Sequence, residues 1–213
     1  FDLLGKFATE SVKRKMSLLV YFSLNVDEVI AEKHPEWVAL NRDGSPVNSQ
    51  VLQDGSELYW RWLCPNRGPY LEEFFFPHLE ECMAKYPMDG IFIDMAGYLP
   101  GSCFCPNCVK KMKKLGLDPD RTSDHARFNS MTMDTFAREL RQRMDRHQPG
   151  MRLNIGCYCA FGEAAKAEGV TSEFYIESLS YQTGWFYFPI MGRYLSNTKV
   201  PIMGITGRFL KNW

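Results

Sequence analysis

The chain has 213 residues, of which 45% are hydrophobic and 23% charged, and its 25 Lys and Arg residues balance its 25 Asp and Glu residues. This composition is ordinary for a soluble globular protein with one sizeable core. No apolar stretch approaches the ~18 residues that a membrane-spanning helix needs. The basic cluster from Lys110 to Lys114 lacks the interleaved aromatic side chains of nucleic-acid sites. We therefore expect neither a membrane nor a nucleic-acid partner.

The seven cysteines are an odd number, and three of them lie within six residues. Such spacing is a poor disulfide framework and indicates a metal site or reduced thiols instead. We therefore expect a reducing compartment and a cytoplasmic protein. The chain starts at Phe1 without a signal-like segment, so we expect the native N-terminus to be absent.

The first third of the chain predicts a helix, a buried strand and a long excursion. The helix spans about residues 2–15, and the strand runs from Leu18 to Asn25. From residue 25 to residue 66 no long helical pattern is present, and Asp43-Gly44 indicates a hairpin. Because loops between a strand and its helix usually have about 2–6 residues, we interpret this excursion as a substrate-binding insertion.

The remaining sequence alternates regularly between helical and strand patterns. A helix starting at Pro69 and ending near Tyr86 should kink or break at Pro77, and a buried strand ends at Asp94. The later elements are a short helix over 109–115, a long helix over 123–147, a strand over 151–157, a short helix over 163–168, a strand over 174–177, a helix over 185–195 and a strand over 200–206.

This alternation predicts right-handed βαβ units and a parallel sheet. Five regular strands, each followed by polar or aromatic residues, fit most of an α/β fold of the (β/α)8 TIM-barrel type. We expect one catalytic barrel domain over residues 1–213, incomplete at both ends, with the insertion at about 25–66. A doubly wound open sheet is the alternative, although no Gly-rich phosphate loop follows any strand.

Two acids occupy the same relative position in two strands. Asp94 ends Ile91-Phe92-Ile93-Asp94, and Glu177 ends Phe174-Tyr175-Ile176-Glu177. In a barrel both would lie at the C-terminal rim, where glycoside hydrolysis could use one as nucleophile and one as acid. Either acid could instead cap a helix or pair with an arginine, and Glu163 and Glu173 are rivals of Glu177.

The motif Cys103-Phe104-Cys105-Pro106-Asn107-Cys108 supplies three soft ligands close together. With Cys64 as the fourth, the set suits a structural Zn²⁺ site. Free buried thiols in a reduced loop are the alternative interpretation, and Cys157 or Cys159 could also supply a ligand. No histidine lies at a spacing that would indicate a catalytic thiol. We expect no cofactor for catalysis.

Five further residues lie in or after predicted loops and are candidates for substrate binding: His34, Trp37, Asn66, Trp185 and Arg208. His34 could donate to a sugar hydroxyl or pack within its loop. Trp185 could be a stacking platform at the rim or part of the core. Arg208 could hold an active-site carboxylate or bridge the barrel and a loop.

Several of these motifs together resemble the α-L-fucosidase-like barrels. They are His34-Pro35-Glu36-Trp37 with Asp43-Gly44, Leu63-Cys64-Pro65-Asn66 with Pro69-Tyr70, Asp89-Gly90-Ile91-Phe92-Ile93-Asp94, and the tail Pro201–Phe209 with Trp213. The resemblance is to the group called hypothetical glycosyl hydrolase 6, with relatives in glycoside hydrolase families 151 and 29. It implies that Asp94, at the end of the fourth barrel strand, is the nucleophile of a retaining mechanism. The acid/base varies between these families, so Glu177 depends on strand position alone.

The cysteine loop is similar to that of the glycoside hydrolase family 42 β-galactosidases. There a C-x-C-x2-C zinc loop follows the fourth strand, which ends in Asn-Glu with the glutamate as acid/base. Here Ile93-Asp94 stands at that place, so the role of that glutamate does not transfer. The likeness supports the zinc interpretation only.

The sequence therefore predicts a retaining exo-glycosidase acting on a carbohydrate, with α-L-fucosides as the expected substrates. One alternative is a β-galactosidase-like hydrolase on the same scaffold. Another is a sugar-binding or structural barrel without turnover. A homo-oligomer is left open by the sequence.

Overall fold

Helices and strands alternate along the chain as the sequence predicts. The computed structural model describes residues 1–53, 56–99, 101–156, 167–178 and 184–205. In this part of the chain the α-helices are α1 Leu3–Arg14, α2 Glu28–Lys33, α3 Phe76–Lys85, α4 Pro106–Lys114, α5 Thr122–His147 and α6 Tyr187–Leu195. The strands are β1 Leu19–Ser23, β2 Asn48–Gln53, β3 Ser56–Arg61, β4 Gly90–Asp94, β5 Arg152–Ile155, β6 Phe174–Glu177 and β7 Ile202–Ile205.

Five of these strands are parallel and follow one another in chain order. Strands β1, β4 and β5 form one sheet in that order, with Ser23 beside Asp94. Strands β6 and β7 form a second parallel pair. The two sheets are adjacent, because the backbone N–H of Ser172 donates to the carbonyl of Leu153 at 2.7 Å. The described residues thus form a section of a barrel-type wall and not a closed barrel.

The parallel strands have one buried face and one face lined by polar and aromatic side chains. Ile91 and Ile93 of β4 are fully buried and belong to one apolar cluster with Leu79 of α3 and Leu140 of α5. Burying each such side chain contributes about 1.5–3 kcal/mol. Because side chains alternate along a strand, Asp94 lies on the opposite face from these isoleucines.

The excursion over residues 25–66 contains the hairpin of β2 and β3, but Asp43-Gly44 does not start its main ladder. The residues around Gly44 form a tight turn, in which the N–H of Asn41 donates to Ser45 at 2.8 Å. Only one bridge, Leu40 with Pro46, follows that turn. Proline has no N–H to extend the ladder, and the longer antiparallel pairing forms between β2 and β3.

The break expected at Pro77 is present as a change of helix type. A π-helical turn, Leu71–Phe75, leads directly into α3, and Pro77 lies in the first turn of α3. Proline removes an intrahelical donor, and the single π-turn before it interrupts the regular α-helical hydrogen bonding at this position.

Among the helices of the described residues, none is both long and apolar enough to cross a membrane.

Candidate active site

The first candidate carboxylate, Asp94, lies at the C-terminal end of β4 and on its non-buried face. Its backbone is held by the chain that follows β1, because the N–H of Leu24 donates to the Asp94 carbonyl at 3.0 Å. The buried Asn25 continues this connection: its side chain accepts from the N–H of Gly97 at 2.9 Å and donates to the carbonyl of Leu63 at 2.7 Å. The rim around Asp94 is therefore fixed from both neighbouring segments.

The side chain of Asp94 accepts a hydrogen bond from the neighbouring strand. The hydroxyl of Tyr21 donates to Asp94 Oδ2 at 2.8 Å. Sequence reasoning did not identify Tyr21 as a site residue. Period-two alternation in β1 could have placed it on the same face as Ser23, but the pairing of Ser23 with Asp94 is known only from the fold.

The second candidate, Glu177, ends β6 and interacts electrostatically with Asp94. Partial burial raises the pKa of Glu177 above the usual value for a glutamate, and the negative charge of Asp94 raises it further. Both acids that the sequence pairs thus end parallel strands, and the charge of Asp94 acts on the pKa of Glu177. A carboxyl group with a raised pKa beside a second carboxylate is the arrangement that separates a proton donor from a nucleophile.

Aromatic rings lie one layer below the two carboxylates. Phe92 lies between Tyr21 and Tyr175, with ring centroids 5.7 and 4.6 Å away. Burial raises the pKa of both tyrosines, and for Tyr21 the hydrogen bond to Asp94 raises it further. Both phenols are therefore protonated at neutral pH, and the rings form an apolar floor with hydroxyl donors at its edges.

The rival acid Glu173 is engaged at the other end of the same strand. Its two carboxylate oxygens accept from Arg152 Nη2 at 2.5 Å and from Asn154 Nδ2 at 2.9 Å. Glu173 precedes β6 whereas Glu177 ends it, so only Glu177 shares the rim with Asp94. Glu163, the other rival, lies outside the described residues.

Trp37 and His34 pack against each other in the segment after β1. Trp37 is only 4% exposed and contacts Tyr70, with the ring centroids 5.7 Å apart. The His34 ring stacks on Trp37 at 3.8 Å, and its Nδ1 lies 2.9 Å from a carboxylate oxygen of Glu36. His34 thus packs within its own loop, which is the alternative to donating a hydrogen bond to a sugar hydroxyl. The burial of Trp37 argues against direct contact with a sugar, and substrate binding by either residue stays a prediction.

The predicted binding residues Asn66 and Trp185 lie in different surroundings. Asn66 is buried beside the cysteines, where it donates to Tyr98 at 2.9 Å and to Thr132 at 3.1 Å and accepts from Lys111 at 2.6 Å. Trp185 precedes α6 and is 77% exposed, so it is not a core residue. Arg208 lies outside the described residues.

The four cysteines chosen from the sequence form one buried cluster. The sulfur atoms of Cys64, Cys103, Cys105 and Cys108 all lie within 4.8 Å of one another, and each residue is 0% exposed. Cys64 Sγ lies 3.9 Å from that of Cys105 and 3.5 Å from that of Cys108. Cys157 and Cys159, the alternative ligands, lie outside the described residues.

These sulfur distances fit a tetrahedral metal site. Zn–S bonds of about 2.3 Å place the sulfurs of a tetrahedron roughly 3.8 Å apart, whereas a disulfide has an S–S distance of about 2.05 Å. Backbone N–H groups point at the sulfurs, from Leu40 to Cys103 at 3.3 Å and from Cys108 to Cys105 at 3.5 Å. Hydrogen bonds from the neighbouring cysteines lower the pKa of Cys105, whereas burial raises that of Cys64. The donor set therefore fits Zn²⁺.

The cysteine cluster is attached to the segment that follows Asp94. The hydroxyl of Tyr98 lies 3.7 Å from Cys64 Sγ, and Trp62 Nε1 donates to the carbonyl of Gly97 at 3.0 Å. Because the segment is short, bracing it at Tyr98 also restrains the rim at Asp94. No cysteine of the cluster is solvent-exposed, so the cluster is suited to a structural role and not to contact with substrate.

Solved structures with similar folds show the class of scaffold to which this chain is similar. The α-L-fucosidase isoenzyme 2 of Paenibacillus thiaminolyticus superposes with a TM-score of 0.78 and 26% identity, over 98% of this chain and 31% of that enzyme. The fold is shared more distantly with a cycloisomaltooligosaccharide glucanotransferase of Paenibacillus sp. in complex with cycloisomaltoheptaose (TM-score 0.56, 11% identity, 94% of this chain and 28% of the other). It is also shared with a β-galactosidase of Bacillus circulans sp. alkalophilus (TM-score 0.54, 16% identity, 81% and 32%). The scaffold is thus of the barrel type found in glycoside hydrolases.

The match to a protein family is more specific than the similarity of folds. Residues 1–95 match the family called Hypothetical glycosyl hydrolase 6, which confirms the resemblance drawn from the motifs that end at Asp94. No curated protein sequence matches this chain. The chain spans about three tenths of the length of the structurally similar enzymes, at 31%, 28% and 32%.

Proposed function

We propose that this chain forms the catalytic part of a retaining exo-glycosidase on a (β/α)8 barrel, with terminal α-L-fucosides as substrates. The observation that carries the proposal is that Asp94 and Glu177 each end a parallel strand, where burial and the charge of Asp94 raise the pKa of Glu177. The family likeness over residues 1–95 and the similarity to an α-L-fucosidase support the reaction class and the sugar.

In the first step, Asp94 attacks the anomeric carbon while the bond to the leaving oxygen breaks. Glu177 gives its proton to that oxygen, and its raised pKa supports this role because the group stays protonated to higher pH than an ordinary glutamate. In the second step, Glu177 takes a proton from water, whose oxygen displaces Asp94 from the sugar. Retaining enzymes place the two carboxyl groups about 5–5.5 Å apart.

The experiment that tests the nucleophile uses Asp94→Asn and Asp94→Gly in the full-length protein. We expect both to lose nearly all turnover of an aryl α-L-fucoside, because the proposed glycosyl–enzyme bond forms on this carboxylate. Azide should restore product formation by Asp94→Gly, giving a fucosyl azide of inverted configuration. Wild-type turnover by Asp94→Asn would show that the nucleophile is assigned wrongly.

A β-galactosidase-like activity is the second candidate, since the cysteine loop is similar to that of family 42. Parallel assays with aryl fucosides and aryl galactosides separate the two sugars.

A barrel that binds sugar without hydrolysing it is the third possibility, and isothermal titration of Asp94→Asn with fucose measures such binding. In that case the unaltered protein would bind fucose and release no aglycone.

We also propose that Cys64, Cys103, Cys105 and Cys108 hold a structural Zn²⁺. The metal would brace the segment after Asp94 and take no part in the chemistry. The support is the sulfur geometry together with the complete burial of the four side chains.

A further inference from the structure

The two oxygens of the Asp94 carboxylate have different surroundings. Oδ2 accepts the hydrogen bond from Tyr21 at 2.8 Å. Within the described residues, no hydrogen bond reaches Oδ1. A carboxylate nucleophile attacks through one oxygen, so this difference bears on which of the two forms the bond.

Tyr21 is suited to hold Oδ2 throughout the reaction. Tyr21 lies on β1, next to β4. It precedes Ser23 by two residues, and Ser23 is paired with Asp94 in the sheet, so the Tyr21 side chain lies on the same face as Asp94. Burial and the hydrogen bond to Asp94 raise the pKa of Tyr21, so its phenol keeps its proton at neutral pH. The phenol is therefore a permanent donor to Oδ2.

Gly156 lies beside the other oxygen. A Cβ atom added at residue 156 would be 3.0 Å from Asp94 Oδ1, with the Ile93 carbonyl the next contact at 3.5 Å. Gly156 is not among the glycines with positive φ, so its backbone conformation does not require glycine. The atom closest to a side chain at residue 156 would be Asp94 Oδ1, so the absence of a side chain on Gly156 leaves space next to that oxygen.

We propose that Tyr21 and Gly156 divide the tasks of the two oxygens: Tyr21 holds Oδ2 in place, and Gly156 leaves Oδ1 free to attack the anomeric carbon. This inference rests on the proposed function of Asp94. In the attack, a lone pair of Oδ1 forms the bond to the anomeric carbon, and the electrons of the broken glycosidic bond pass to the leaving oxygen, which takes the Glu177 proton. The hydrogen bond from Tyr21 fixes the plane of the carboxylate during this step.

Within the described residues, the side chains that act on Asp94 come from two strands. Tyr21 comes from β1, and Tyr175 and Glu177 come from β6. The segment after β5 contributes Gly156, which has no titratable side chain. Within the described residues, Tyr21 is the side chain that donates a hydrogen bond to this carboxylate.

The test measures covalent trapping of the full-length protein by 2-deoxy-2-fluoro-fucosyl fluoride, followed by mass spectrometry of the adduct on Asp94. Tyr21→Phe removes one hydroxyl and keeps the ring. Losing a hydrogen bond to a charged group should slow trapping and kcat roughly 10- to 100-fold, with little change in KM. A purely structural role for Tyr21 would lower the amount of folded protein and leave the rate per active site unchanged.

Gly156→Ala tests the second half of the inference. The added methyl group would crowd Oδ1 at 3.0 Å, and we expect trapping to slow while the hydrogen bond to Tyr21 is kept. Matched controls are Tyr194→Phe and Gly192→Ala on α6. Tyr194 is 47% exposed, and a Cβ at Gly192 meets nothing within 4 Å. Both controls should be trapped at the wild-type rate.

The outcomes separate this inference from the proposed function. If Asp94→Asn is inactive and Tyr21→Phe is trapped at the wild-type rate, the assignment of Oδ2 to Tyr21 is overturned. Wild-type trapping of Gly156→Ala would overturn the assignment of Oδ1. If Asp94→Asn itself keeps full turnover, the proposed function fails first. Should Gly156→Ala not fold, as judged by its thermal unfolding, Tyr21→Phe alone decides the inference.

Discussion

At the scale of single residues, two carboxylates of similar chemistry have different surroundings. Asp94 accepts a hydrogen bond from the hydroxyl of Tyr21 through one of its two oxygens. Glu177 is partly buried and faces the charge of Asp94, and both raise its pKa. The different surroundings of the two carboxyl groups thus suit Asp94 for nucleophilic attack and Glu177 for proton donation.

The raised pKa of Glu177 predicts the pH dependence of hydrolysis. As a general acid, Glu177 is competent while protonated, so kcat/KM should fall as the pH rises through its pKa. The basic limb of the profile should therefore lie at higher pH than an ordinary glutamate would give. Glu177→Gln should remove this limb and lower the rate about 10²- to 10⁴-fold for substrates with poor leaving groups.

Profiles measured with a phenyl and a dinitrophenyl fucoside check this assignment. The dinitrophenyl leaving group needs little protonation, so the variant should act on that substrate nearly as fast as wild type in the first step. An unchanged basic limb in Glu177→Gln would assign the acid to another residue.

At the scale of elements, the loop between β4 and α4 connects the candidate catalytic rim to the cysteine cluster. Cys105 is the N-cap of α4, and its sulfur accepts from the N–H of Cys108 at 3.5 Å. In this loop, the hydroxyl of Tyr98 contacts the sulfur of Cys64, which follows the β2–β3 hairpin in the chain. One buried cluster thus joins two segments that are distant in sequence, the one around Cys64 and the one from Tyr98 to Cys108.

This arrangement predicts one zinc ion per chain and a loss of stability when it is removed. Structural zinc binding contributes on the order of 10 kcal/mol to folding in small zinc domains, so Cys105→Ser should lower both the zinc content and the melting temperature. Cys82→Ser is the control, because Cys82 is a half-buried free cysteine on α3 outside the cluster. Elemental analysis and thermal unfolding with and without a chelator measure both effects. Full zinc content in Cys105→Ser would contradict the ligand set.

At the scale of the whole molecule, the parallel strand order decides which polar residues meet. Strands β4, β5 and β6 bring Arg152, Asn154 and Glu173 together below the candidate catalytic carboxylates. Arg152 and Glu173 form an ion pair at 2.5 Å, with side chains 38% and 19% exposed. This group links β5 to the start of β6, where the two sheets adjoin.

Glu173→Gln should therefore affect stability more than catalysis. Losing a partly exposed ion pair should lower the free energy of unfolding by about 1 kcal/mol, measured by urea denaturation. Turnover of the folded variant should stay far above that of Glu177→Gln. The surface variant Glu10→Gln on α1 is the control for a carboxylate in an exposed pair. A stable but inactive Glu173→Gln would instead identify Glu173 as the acid/base.

The sequence alone determined the features that depend on local patterns. Apolar triplets ending in acids marked β4 and β6, and the alternation of strands and helices indicated parallel strands. The break near Pro77 was also predictable, because proline always removes a backbone donor. The C-x-C-x2-C spacing indicated Cys103, Cys105 and Cys108 as three soft ligands close together, with Cys64 as the expected fourth.

Only the tertiary structure decided which of these residues meet. Strand register placed Tyr21 and Gly156 at Asp94, and the approach of β5 to the start of β6 paired Glu173 with Arg152 and Asn154. Packing also buried Trp37, which its loop position had suggested for substrate binding. Pairing and burial depend on contacts between segments far apart in the chain, and parallel strands are joined by long crossover connections, so no short turn fixes which residues lie side by side.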